Sequence, residues 1–367
     1  PDGHSSQIVC AAKRHVGKSE RLCLRRIHKL DMRKSSAEMR ESMIGKKGKL
    51  LLLCYMIFLV VLFLMCSTDL IIREPEQEIY QIAVIIEDAS DNNYGNFRKG
   101  MDQAAMEFNA DVRFITLYEK LEPNQQMEFI VREQQDGADA LIVAPVDEGK
   151  LFEALSQKQI TVPMVLLGCE LAGEEIIGSI TSDYKKMGQE ITSQMLRRKP
   201  QDASVVIFSE REKSGMAGQD FREGMTEELV RNGCAYQRIY CSENGDLKES
   251  LQKAMDLCKG QIVILAESPE ILTQTAAAGA EEPLFLERVC GLYGRGSAIP
   301  VLNYLDRDYI TGTCALDEFS MGYYSVCMAV RALEGLESSN SLKMDYYYVE
   351  KEDLRKKGYE KMLYPIE

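Results

Sequence analysis

The chain has 367 residues and a formal net charge of −13, and residues 1–49 hold 13 Lys/Arg against 5 Asp/Glu. The remaining 318 residues therefore carry −21, and so acidic a body lacks the basic face that nucleic acid requires. The length exceeds one average domain and predicts two lobes plus extra segments.

Residues 1–49 show no apolar period and read as a basic cytoplasmic or disordered segment, with Met43-Ile44-Gly45-Lys46-Lys47-Gly48-Lys49 resembling a natural start. Leu50 to Cys66 is an uncharged apolar run at the lower limit for spanning a bilayer, which needs about 17–25 residues. The Lys cluster before it places the N-terminus inside and the acidic body outside. Three fates stay open: a retained anchor, which is the favoured one, a cleaved signal, or a lipoprotein ending at Cys66. Residues 67–78 form a polar stalk.

The body opens with the apolar run Ile82 to Ile86, closed by Glu87-Asp88. A polar loop, residues 89–93, leads to a helix over 94–109 with Phe97, Met101, Ala104, Ala105 and Phe108 on one face. Strands are predicted at 112–117, 140–143 and 165–167, with helices at 124–135 and 148–157 between them. Short strands apolar throughout, alternating with helices, imply a parallel sheet covered on both faces. Ligands of such sheets sit beyond the carboxyl ends of the strands. A second α/β unit is expected from Glu175, with strands at 204–208, 236–241, 262–265, 288–293 and 311–315. Its helices fall at 184–198, 216–231, 247–258, 269–278 and 321–333. Asn232-Gly233 caps one of them. Tyr346 to Val349 reads as an edge strand.

Several of these segments carry a family resemblance. The Asp/Asn-rich loop, the aromatic that opens the next helix and Gly100 resemble the first βα unit of type I periplasmic solute-binding proteins. That fold also serves as the effector domain of LacI-type repressors. Residues 134–145, QQDGADALIVAP, resemble that family's "QGVDGIIVAP" segment, and 162–167, Ser182-Asp183, Met187-Gly188, 221–225 and 316–322 continue the register. The match covers roughly residues 79–350. The resemblance implies two doubly wound lobes joined by three hinge crossings, near Ala172, Asp308 and Glu337. The first lobe is then 79–173 with 309–337, and the second 174–308 with 338–367. The sequence departs from the family's sugar-binding pattern at Gly168-Cys169, Ser268-Pro269, Tyr293 and Leu316, where polar partners are usual.

The predicted binding residues are the first rim loop, Asp91, Asn92, Asn93 and Tyr94, together with Glu170, Glu210, Arg211, Gln219, Glu267, Ser268, Tyr293 and Arg295. Carboxylates, amides and an aromatic face suit a polyol, whose hydroxyls take bidentate acceptors and whose C–H face stacks on a ring. An Asx turn with a helix N-cap selects the same residues in the first loop. No catalytic residue, metal or cofactor is expected. The three His lie in the first 28 residues, the 11 Cys show no metal spacing, and Gly294-Arg295-Gly296 is no phosphate fingerprint. The Cys read as small core residues. The expected function is a membrane-anchored extracytoplasmic binding protein that holds a small polar, sugar-like ligand between its lobes. Its partner is an ABC permease or a histidine kinase's outer domain. The alternative is a binding fold that lost its ligand and serves as a protein-interaction or sensor module. A DNA-binding repressor is excluded, because the membrane run occupies the place of its helix-turn-helix.

Overall fold

The computed structural model of the chain describes residues 45, 47–65, 79–210, 215–241, 247–282, 284–336 and 340–365. They divide into two units, one up to Gln77 and one from Glu78.

In the first unit, helix α1 (Lys47–Met65) is 19 residues long and apolar enough to cross a membrane. Its Leu, Ile, Val and Phe side chains are exposed from Leu50 to Met65, as lipid rather than water favours. Length and composition fit an anchor and a signal segment alike. Cys66 lies outside the described residues.

The second unit runs β1 (Tyr80–Ile85), α2 (Gly95–Glu107), β2 (Ala110–Ile115), α3 (Pro123–Gln135), β3 (Ala140–Val143), α4 (Glu148–Ser156), β4 (Met164–Leu167) and β5 (Ile176–Ser182). It continues with α5 (Tyr184–Arg198), β6 (Ser204–Ser209), α6 (Met216–Arg231), β7 (Tyr236–Tyr240), α7 (Leu247–Leu257), β8 (Ile262–Ala266) and α8 (Pro269–Glu281). Then come the short α9 (Phe285–Arg288), β9 (Val289–Arg295), α10 (Ile299–Asp306), β10 (Gly312–Leu316), α11 (Glu318–Leu333), β11 (Asn340–Met344), β12 (Tyr346–Val349) and α12 (Lys357–Leu363).

These strands form two six-stranded sheets, ordered β2-β1-β3-β4-β5-β11 and β7-β6-β8-β9-β10-β12. All pairings are parallel except β12 against β10; the Tyr-rich tail is the edge strand the sequence predicted, and it runs antiparallel. Successive residues of β1 feed opposite cores. Ile82, Val84 and Ile86 pack with Phe97, Met101 and Val326 on one face. Ala83 and Ile85 pack with Phe129, Ile130 and Leu151 on the other. A strand buried on both faces has no polar phase, which is why it reads as an unbroken apolar run.

The lobe boundaries differ from the expected ones. β5 pairs with β4 in the first sheet, so Glu175–Ser182 does not enter the second lobe. β10 pairs with β9 in the second sheet, whereas α11 after it packs on α2 in the first lobe. β11 pairs with β5, so residues 340–344 also belong to the first lobe. The chain therefore crosses at Asp183, Asp317 and Asp345, not near Ala172 or Asp308; Glu337 lies outside the described residues. Asp183 and Asp317 are helix N-caps, accepting from the backbone N–H of Lys186 at 3.1 Å and Ser320 at 3.0 Å. Two of the crossings thus coincide with a strand handing over to a capped helix, and the third, at Asp345, joins β11 directly to β12.

Two close helix pairs buttress the lobes. A Cβ on Gly100 of α2 would lie 1.9 Å from the Phe319 carbonyl, and one on Gly322 of α11 2.0 Å from that of Phe97. Gly188 of α5 and Gly224 of α6 repeat the arrangement against Phe221 and Lys185. The glycines allow the backbones to touch.

Candidate ligand-binding site

A cavity of about 170 Å³ opens beyond the carboxyl ends of both sheets, between the lobes. One water needs about 10–15 Å³ on this measure, so a small multi-atom ligand fits. From the first lobe come Glu87 and Asp88 after β1, Asn93, Tyr94 and Phe97 at α2, Lys120 after β2, Pro145 after β3, Gly168 and Cys169 after β4, and Glu318 at the start of α11. From the second come Tyr184, Glu210 after β6, the first turn of α6, Glu267 to Glu270 after β8, and Arg295 at the end of β9. A parallel sheet leaves these ends open because its helices cover only the faces.

Lys120 joins the lobes. Its ammonium lies 3.4 Å from Asp88, 3.0 Å from Glu210 and 2.8 Å from Glu270. Burial pushes Lys120 down, yet these three carboxylates hold it well above its usual value. The turn that presents it is tied to β1's end by Leu117 N–H to Asp88 O and Leu121 N–H to Glu87 O, both 2.9 Å. Leu121 sits at φ 59°, a left-handed conformation that costs a non-glycine residue about 1–2 kcal/mol. Tyr94 donates its hydroxyl to Asp88 at 3.0 Å, so the first rim loop and Lys120 share one carboxylate. Burial pulls Glu210 up, but Lys120, the Ser268 hydroxyl and Arg295 leave it below the ordinary range.

Arg295 forms the second pole. Its guanidinium lies over Tyr184 at 5.6 Å and Phe221 at 5.5 Å, and its Nε has no hydrogen-bond partner among the described residues. A stacked planar guanidinium with an unused donor suits hydroxyls or other acceptors. Glu87 and Glu318 flank it. Burial, foremost, raises each to about 7, with Asp88 adding to it at Glu87 and Asp317 at Glu318, while Arg295 opposes both. Burial likewise pushes Tyr184 up to about 12.

The sequence of residues 82–337 matches the model of the periplasmic binding protein domain. The chain belongs to the periplasmic binding protein family. Solved structures agree on the fold. A carbohydrate-transporter solute-binding protein from Agrobacterium radiobacter, in complex with D-arabinose, is 15% identical with a TM-score of 0.68, covering 78% of this chain and 100% of that one. An ABC-transporter solute-binding protein from Bacillus halodurans, with bound myo-inositol, is 18% identical at 0.64, covering 78% and 99%. A TorS sensor domain–TorT complex without ligand is 17% identical at 0.65, covering 78% and 98%. No curated protein matches the sequence significantly.

Within this binding-protein fold, the predicted residues separate. Asn93, Tyr94, Glu210, Glu267, Ser268 and Arg295 line the cavity. Glu267, only 1% exposed, is engaged by Arg222 at 2.9 Å. Ser268 caps α8 through the Ile271 N–H. Asp91 and Asn92 are exposed outside the lining, and Asp91 is ion-paired to Arg98. Glu170 is exposed and accepts from the Ser341 hydroxyl instead. Gln219 is an exposed residue of α6 outside the lining. Tyr293, 2% exposed, packs in the second lobe's core, because β9 continues two residues further than predicted and Arg295 takes the rim. Arg211 lies outside the described residues. Sequence reasoning missed Glu87, Asp88, Lys120, Tyr184, Glu270 and Glu318. For Glu87 and Asp88 the signal was present: two carboxylates directly after an unbroken apolar strand. Gly168, Cys169 and Leu316, where the family's polar partners are missing, do line the wall.

Proposed function

We propose that this is an extracytoplasmic binding protein, anchored through Lys47–Met65, that captures a small hydroxylated ligand between its lobes and reports occupancy by closing. The observation that carries this reading is the stacked Arg295 of one lobe, whose Nε has no hydrogen-bond partner among the described residues, facing Glu87, Asn93 and Tyr94 of the other across one cavity. Closure follows from differential affinity, since a ligand touching both walls binds the closed state better. The named neighbours include importer components and a sensor complex, so the output is delivery to an ABC permease or docking on a sensor's outer domain. The anchor and the apolar substitutions at Gly168, Cys169 and Leu316 favour sensing.

A thermal-shift screen of sugars, polyols, sugar acids and nucleosides tests the reading, followed by titration of each hit against Arg295→Ala and Tyr94→Ala. Stabilisation that both variants weaken supports it. One observation favours a second reading: Lys120 bridges the lobes through protein carboxylates alone. If no small molecule stabilises the protein, a ligand-free interaction module is the better account.

A further inference from the structure

The charge lining the cavity does not balance. Apart from Glu267, which Arg222 engages, five carboxylates line it, Glu87, Asp88, Glu210, Glu270 and Glu318, against the two cations Lys120 and Arg295. Lys120 is consumed by Asp88, Glu210 and Glu270. Arg295 rests on two rings instead of on a carboxylate. No hydrogen bond or ion pair reaches the Glu87 side chain among the described residues. Its Oε2 instead abuts Gly215 of the opposite lobe, where a Cβ would lie 2.0 Å away. Glu318 Oε2 also has no hydrogen-bond partner among the described residues. Carboxylates withdrawn from water must be protonated or paired. A neutral polyol supplies hydroxyl donors but no charge, whereas an ammonium supplies three donors and the missing charge.

Resting on the binding-protein reading above, we propose that the ligand is a hydroxylated molecule carrying a protonated amine, an amino sugar or amino polyol. Its ammonium is taken by Glu87 and Glu318 and its hydroxyls face Arg295 and Asn93. A pH signature follows. Glu87 faces Asp88 and Glu210, which raise it, and Arg295 and Lys120, which lower it; Glu318 faces Asp317, which raises it, and Ser297 and Arg295, which lower it. Burial outweighs these at both, so near neutral pH each is partly protonated. An incoming ammonium displaces those protons, so affinity rises as pH climbs through about 7 until the amine itself titrates.

The test is calorimetry on the full chain in detergent with matched probes: D-glucosamine and D-glucose, D-galactosamine and D-galactose, 1-amino-1-deoxy-D-glucitol and D-glucitol. Expected are an amine member bound at least about tenfold tighter than its hydroxyl twin, a difference of roughly 1.4 kcal/mol, proton release on binding, and loss of the preference in Glu87→Gln or Glu318→Gln. The wild-type comparison and its pH dependence decide the matter even if a variant misfolds. If a neutral twin binds as well as its amine or better, the charge inference falls and the binding-protein reading stands. If no member of either series binds while another compound of the thermal-shift screen does, the charge inference falls and the binding-protein reading stands; if nothing in that screen binds, both fall.

Discussion

Arg295 is the residue on which the proposed site depends most. It lines the cavity, and Tyr184 and Phe221 hold its plane in place. Arg295→Ala removes charge-assisted hydrogen bonds of about 1.5–3 kcal/mol, so a ligand identified by the screen should bind roughly 10- to 150-fold more weakly in calorimetry. Arg295→Lys should recover little, because an ammonium neither stacks nor forks. Asp91→Ala is the contrasting case. The carboxylate faces Arg98 in solvent, and an exposed pair contributes about 0–1 kcal/mol. Affinity should change by less than about threefold; a larger loss would return Asp91 to the cleft. The Asp91 expectation shows what a sequence hides at this scale. The loop composition signals a polar rim, but residues 91 and 93 share it, and only the loop's turn decides which one faces the cavity.

At the scale of elements, the two glycine-mediated helix pairs set how each lobe's outer layer sits. Gly100→Ala drives a Cβ into the Phe319 backbone, which cannot move aside as a side chain end would. Overpacking of this kind costs about 1–3 kcal/mol, so the melting temperature should fall by roughly 2–12 °C for a domain of this size. Gly95→Ala, at the start of the same helix with nothing within 4 Å of the added Cβ, should leave it nearly unchanged. Equal melting shifts for the two would mean that the α2–α11 contact does not constrain the fold. Strands and helices were legible along most of the chain because burial on both faces imposes unbroken apolar runs, and the helices carry a period of 3.6. Sheet membership was not. β5 follows β4 through an eight-residue connection with no helix, Gly168 to Glu175, so nothing local marks it as the same sheet.

For the whole molecule, Lys120 ties the two lobes together across the cavity. Lys120→Ala leaves Glu210, Glu270 and Asp88 facing one another, and their repulsion should open the cleft. Solution scattering should then show a larger radius of gyration for the unliganded variant than for the wild type. Identical curves would assign closure to other contacts. Stability should also depend on pH through Glu87 and Glu318. Both are raised above their usual value by burial, so the folded state binds more protons than the unfolded one. The stability they contribute is fully present below about 4.5 and is lost as pH rises through about 7. Melting temperatures measured from pH 4.5 to 8 should fall less steeply for Glu87→Gln and Glu318→Gln, which mimic the protonated form. Wild-type and variant profiles of equal slope would show that these groups are not held neutral.

The sequence alone determined the apolar N-terminal run, the two parallel α/β lobes, the ends of the sheets where a ligand must sit, and the position of Arg295 at one of them. These follow from local periodicity and from the rule that helices cover a parallel sheet's faces and leave its ends open. The tertiary structure decided which lobe β5, β10 and β11 join, that Tyr293 is core, and that Lys120 and Glu318 meet the same cavity. The reason is physical: Lys120 lies 90 residues from Glu210 and 150 from Glu270 along the chain. Partners so distant leave no periodic trace in the sequence, and their charges acquire a common meaning only when three crossings bring the two sheets' ends face to face.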